Sequence, residues 1–186
     1  MQPLLIRNAF PGFVSPIAPE DLAGLKIRTL PNPIITECLR LMGAAATPLA
    51  FGEIYTALQA GVLDGLEHDP PTILASKFWE TSKHYALTQH NFSPLATYFS
   101  EVTFNRMDPK LREGFLDAAQ KAAIDTRAHG LGVEKEALTS IQEKGVVVVE
   151  CDKEAFRKRV LPQTDNFIKA RPEVKAVVDA IRATQA

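Results

Sequence analysis

From Leu25 onward the hydrophobic positions change rhythm every few residues. Leu25-Lys26-Ile27-Arg28-Thr29-Leu30 alternates apolar and polar residues, the period of a half-buried strand, and Pro31-Asn32-Pro33 ends it. Ile34, Ile35, Cys38, Leu39 and Met42 then fall at helical spacing, with Gly43 where a glycine closes a helix. Ala45 to Leu49 predicts a short strand. Phe51 to Ala60 predicts a second helix, closed by Gly61 with Ile54 and Leu58 inward, and Val62 to Glu67 a third strand. Strand and helix alternating over about forty residues imply an α/β unit with largely parallel strands, because each helix supplies a crossover.

Further along, Pro70-Pro71 can open a helix over Thr72 to Phe78, while Tyr85 to Gln89 and Leu95 to Phe104 predict longer strands. Phe78, Trp79 and Tyr85 read as core anchors. Asp108-Pro109 joins an N-cap acceptor to a proline at the first helical position. Lys110 to Lys144 follows as a long helical stretch, with Leu111, Phe115, Ala118, Ala122, Leu138 and Ile141 as core candidates and a break expected near Gly130 and Gly132. Gly145 to Val149 is dominated by β-branched residues and predicts a strand. Asp152 then caps an amphipathic helix containing Phe156 and Val160, and Glu173 to Thr184 forms a last helix. Ahead of all this, Pro11 to Asp21 is rich in proline and small residues and predicts an extended connector.

Composition narrows the function. The chain has 186 residues, 46% hydrophobic and 23% charged, which allows one large domain or two small ones. Lys and Arg number 21 against 22 Asp and Glu, so no general field favours nucleic acid or an anionic membrane, and an anion must be held by a local site. No apolar run is long enough to span a bilayer, and the opening MQPLLIRNAF lacks the pattern of a secretory signal. Cys38 and Cys151 have no metal-ligand spacing and read as buried thiols, with a disulfide left open. No cofactor or metal motif is present, and the nucleophile elbow, the zinc-protease motif and the phosphate-binding loops are missing too.

Two places carry candidate chemistry. The densest polar cluster, Asp64-Gly65-Leu66-Glu67-His68-Asp69, ends a predicted strand, where α/β folds place ligand contacts. Glu67, His68 and Asp69 admit three readings: ordinary hydrogen-bonded loop residues, solute contacts, or a metal or acid–base group. Neighbouring strand residues point to opposite faces, which works against a shared ion. Arg28 stands at a strand end beside a helix start, and its planar fork plus free helix N–H groups suit a carboxylate. A surface salt bridge is its plain alternative. Phe51 opens a helix beside the same place, so its ring can border a pocket. His84, His90 and His129 have no evident partners.

Longer blocks then match a family. Glu20-Asp21-Leu22-Ala23-Gly24-Leu25-Lys26-Ile27-Arg28, the block GAAATPLAFGEIYTALQAGVLDG from Gly43 to Gly65, and Ser76-Lys77-Phe78-Trp79-Glu80 resemble, in order and spacing, the TRAP-type extracytoplasmic solute-binding proteins of the DctP kind. The likeness is clear from Pro19 to Asn105 and looser through the helical C-terminus. It implies a periplasmic binding protein-like α/β lobe, a mixed and largely parallel sheet with flanking helices, plus long C-terminal helices. It also implies a periplasmic receptor that captures a small organic acid in an interlobe cleft and delivers it to TRAP membrane subunits.

By the same likeness, residues 1–105 are mainly the second lobe, 106–150 belong to the first, and 151–186 pack back on the second. Arg28 matches the arginine that pairs with the solute carboxylate, and Phe51 matches the aromatic that lines the cleft. Asn32 lies within one position of a polar cleft residue, and Arg7 aligns with a second cleft arginine. His68, beside Glu67, stands where relatives carry an asparagine. The family has a further stretch of chain ahead of this point that carries most of the first lobe and the export signal. This chain is therefore expected to supply one cleft wall and to self-associate through the uncovered surface. The rival reading is a small-molecule hydrolase or another acid–base enzyme using Glu67, His68 and Asp69.

Overall fold

The computed structural model describes residues 2–6, 16–92 and 96–184. Six strands form one sheet in the order β3-β2-β4-β1-β5-β6. They are β1 (Gln2–Ile6), β2 (Lys26–Thr29), β3 (Ala45–Pro48), β4 (Gly65–Glu67), β5 (His84–Asn91) and β6 (Val147–Val149). β2 runs parallel to β3 and β4, and β5 parallel to β6, while β1 lies antiparallel between β4 and β5. Five strands thus end along one edge, as the crossover argument requires. β1 has no counterpart in the sequence reading, because five residues without alternation or turn signals carry too little pattern to be seen alone.

Seven α-helices are described: α1 (Pro33–Leu41), α2 (Ile54–Gln59), α3 (Pro70–Ala75), α4 (Glu101–Arg106), α5 (Pro109–Glu143), α6 (Lys153–Ala170) and α7 (Lys175–Ala183). They cover both faces of the sheet, and strand alternation divides the core accordingly. Leu4, Ile6, Ile27 and Ala86 pack with Leu39 and Met42 of α1 and Phe156 of α6. Leu5, Leu66 and Tyr85 point the other way, into a cluster with Ile54 and Leu58 of α2, Ile73 of α3, Phe78, and Ile141 near the end of α5. Cys38 and Cys151 are free, half-buried thiols beside the first cluster, and burial is the main cause that pushes each pKa up to about 11.

Helix starts follow the capping logic. The Asn32, Asp69, Asp108 and Asp152 side chains accept from backbone N–H groups at the first turns of α1, α3, α5 and α6. Val62 to Asp64 form a turn rather than strand. There the Asp64 carboxylate accepts from the Lys26 N–H at 2.9 Å and so pins the start of β2, at the opposite sheet edge from Glu67. Gly65 is dictated by a close approach: an added Cβ would lie 2.6 Å from the Leu5 carbonyl oxygen.

Two expectations need correction. Residues 96–100 have no regular structure and 101–106 are the helix α4, begun by the Ser100 hydroxyl, so the strand expected to Phe104 does not form there. Leu95 lies outside the described residues. α5 is also continuous through Gly130 and Gly132, since a lone glycine costs a helix only about 1 kcal/mol and a long helix absorbs that. Of the expected α5 core, Ile141 is buried, Phe115 and Leu138 are half-buried, and Leu111, Ala118 and Ala122 are exposed. The expected connector is described only from Pro16, after which Pro19–Leu22 form one 3-10 turn.

Candidate functional site

The C-terminal edge of the parallel strands gathers the sequence candidates. Arg28, next to last in β2, is 1% exposed, and its Nε donates to the Leu49 carbonyl at 2.9 Å. Burial lowers its pKa from the ordinary value, with the Glu67 charge working the other way. Among the described residues no carboxylate lies within ion-pair distance of its guanidinium, so the charge of a nearly buried arginine is left without a direct counter-ion.

Arg28 faces Leu66 in the ladder, and the two-residue period places His68 on the Leu66 side of the chain and Glu67 on the other. His68 follows β4 directly. Its ring meets Phe51 edge to face at 5.6 Å between centroids, and Phe51 meets Phe78 in the same way at 5.8 Å. Phe51 is 47% exposed, so part of its ring remains open to solvent. Tyr85 donates its hydroxyl to the His68 carbonyl at 3.0 Å, fixing the backbone where β4 ends. His68 Nδ1 lies 2.7 Å from the Asp69 carboxylate, which also takes the Thr72 N–H and hydroxyl at 2.9 and 3.1 Å. Burial opposes the charged form of Asp69, but the His68 and Thr72 hydrogen bonds outweigh it and hold the carboxyl well below the usual range.

Glu67 does not share that side. It is buried among Leu4, Ala86 and the α1–α6 layer, accepting from the Thr29 hydroxyl at 2.9 Å and pairing with His90 Nε2 at 2.9 Å. His90 Nδ1 lies 2.8 Å from the Thr88 hydroxyl. Glu67 therefore ties the ends of β2, β4 and β5 together instead of facing a solute, and His90 has partners that the sequence did not reveal. Glu67 thus stands on the other face of the sheet from the His68–Asp69 pair, and the three residues do not share one site. Asn32 spends its carbonyl on the N–H groups of Ile34 and Ile35, so only its amide N–H groups remain for a ligand. Arg7 lies outside the described residues.

A cavity of about 370 Å³ lies on the α1–α6 face of the sheet, between the start of α1 and α6, lined by Pro33, Ile34, Gln163, Thr164, Asn166 and Phe167. It holds no charged group to meet an anion, so the strand edge with Arg28 is the better candidate for a charged solute.

The model of the bacterial extracellular solute-binding proteins, family 7 (DctP), matches residues 9–170. The chain belongs to this family. The 2,3-diketo-L-gulonate-binding periplasmic protein of Escherichia coli is 30% identical over 90% of the chain and 52% of its own length. A TRAP periplasmic solute-binding protein of Roseobacter denitrificans with bound β-D-glucuronate superposes at a TM-score of 0.89 with 28% identity, over 98% of this chain and 59% of that one. A Polaromonas protein bound to D-erythronate gives 0.82 with 33% identity, over 100% and 58%. The chain thus spans about half the length of the curated relatives it matches.

Proposed function

We propose that this chain is the solute-binding component of a TRAP-type transporter, acting in the periplasm by capture rather than by catalysis. Its solute is a small organic acid, with sugar acids the best supported class. The observation that carries this reading is Arg28: a nearly buried guanidinium at a strand end, with one carbonyl bond and no direct counter-ion among the described residues. A carboxylate would complete it as a charge-assisted pair. Phe51 would bound the carbon skeleton, His68 would meet a second polar group, and the Asn32 amide would border the site. The acids bound by the family members above support the class. Delivery to TRAP membrane subunits after closure of a second wall over this edge completes the proposal.

Calorimetry or thermal shift with D-glucuronate, D-erythronate and neutral D-glucose tests it. The expected outcome is saturable binding of an acid but not of glucose, weakened roughly tenfold to a hundredfold by Arg28→Ala, the range for a hydrogen bond to a charged group. Circular dichroism checks that the variant is folded. Equal response to glucose, or acid binding unchanged in Arg28→Ala, would refute the assignment.

A further inference from the structure

Two groups approach Nδ1 of His68: the Asp69 carboxylate at 2.7 Å and the Asp69 backbone N–H at 3.1 Å. They make opposite demands, because the N–H wants a lone pair whereas a carboxylate can only accept. The carboxylate is nearer and charged, and charge-assisted bonds are about twice as strong as neutral ones, so the hydrogen belongs on Nδ1. Thr72 holds that carboxylate with two bonds at the N-terminus of α3, so it cannot swing away cheaply. In a neutral imidazole with its hydrogen on Nδ1, Nε2 is a pure acceptor. Among the described residues Nε2 has no partner, and it is not sealed from solvent, since Trp79 Nε1 is the one buried side-chain donor or acceptor there without a bond. Phe51 packs edge to face on the ring and limits its rotation.

Arg28 lies in β2 and His68 directly after the parallel β4, on one side of the sheet and two positions apart in register. Strand spacing and rise put their Cα atoms on the order of 8 Å apart, the reach of one small acid between two converging side chains.

We infer that His68, positioned by Asp69, makes this site selective for 2-hydroxy acids over 2-keto acids, because its exposed Nε2 accepts a hydrogen bond that a hydroxyl can donate and a carbonyl cannot. Arg28 takes the carboxylate, and the 2-hydroxyl is the first oxygen beyond it. A keto oxygen there would set one lone pair against another. This rests on the carboxylate reading of Arg28 and sharpens it.

The tautomer is measured without ligand, so its result stands apart from the binding assay for Arg28. Nitrogen-15 NMR of ring-labelled protein near neutral pH should show His68 protonated at Nδ1, and Asp69→Asn should shift the ring towards the other tautomer. Three matched pairs are then titrated: lactate and pyruvate, D-glycerate and hydroxypyruvate, D-gluconate and 2-keto-D-gluconate. The hydroxy acid is expected to bind about tenfold more tightly than its partner, the scale of one satisfied hydrogen bond. His68→Asn, whose amide can turn to donate, should bring the pairs close to parity with Arg28 intact. A hydrogen on Nε2 in the free protein, or a preference unchanged in His68→Asn, overturns the inference.

Discussion

Glu67→Ala would leave His90 Nε2 and the Thr29 hydroxyl without their acceptor, where the Glu67 and His90 side chains are 1% and 3% exposed. Leaving buried hydrogen-bonding groups without their acceptor costs about 1–3 kcal/mol, above the effect of an exposed ion pair such as Lys121–Asp117. Urea denaturation should show that loss in Glu67→Ala and less than about 0.5 kcal/mol in Asp117→Ala. Asp69 introduces a pH dependence whose sign is fixed by its depressed pKa. The stability it contributes is fully present above the unfolded carboxylate value of about 3.9 and is lost as pH falls from there towards the folded value. Below about pH 4 the denaturation midpoint of Asp69→Asn should fall less steeply with acid than that of the unaltered chain, as a pH series of urea titrations would show.

Among the elements, α5 stands apart. From Pro109 to Gly130 only Arg112 and Phe115 are even half-buried, and the main contact of the helix with the rest of the fold is with α3. Such a helix leans on propensity more than on packing. A Cβ at Gly130 would meet nothing within 4 Å, and the residue has no positive φ. Gly130→Ala should therefore stabilise the helix by up to about 1 kcal/mol, read as a raised Tm or slower amide exchange over this part of α5. At Gly65 the same substitution is expected to do the opposite, because the Leu5 carbonyl belongs to a central strand and has no room to retreat.

At the scale of the whole molecule, exposed apolar side chains recur between Phe92 and Ile124. Tyr98 is 89% exposed and Phe92 71%, and the α4–α5 region adds Val102, Leu111, Leu116 and Ile124. Phe99, Phe104 and Phe115 form a small aromatic cluster in the same region, with Phe99 and Phe115 centroids 4.5 Å apart. Exposed apolar side chains of this size favour association where they adjoin. Sedimentation velocity of the chain should give a coefficient that rises with concentration, and the pair Leu116→Glu with Ile124→Lys should suppress the rise. A single monomeric boundary across the range would remove the expectation.

Local signals made much of this protein legible in advance. Alternation announced β2, helical spacing announced α1, and Asp108 and Asp152 announced helix starts, because each depends on residues within a turn or two of one another. Arg28, Phe51 and His68 were legible as a group since all three follow or close strands that run the same way. β1 escaped, being a strand that exists by pairing with β4 and β5 over a long sequence distance. So did the role of Glu67: whether it faced a solute depended on the parity of β4 and on His90, twenty-three residues away in the chain. Side-chain pairing across strands and the side of the sheet that each residue occupies follow from register, and register is settled only when the chain closes on itself.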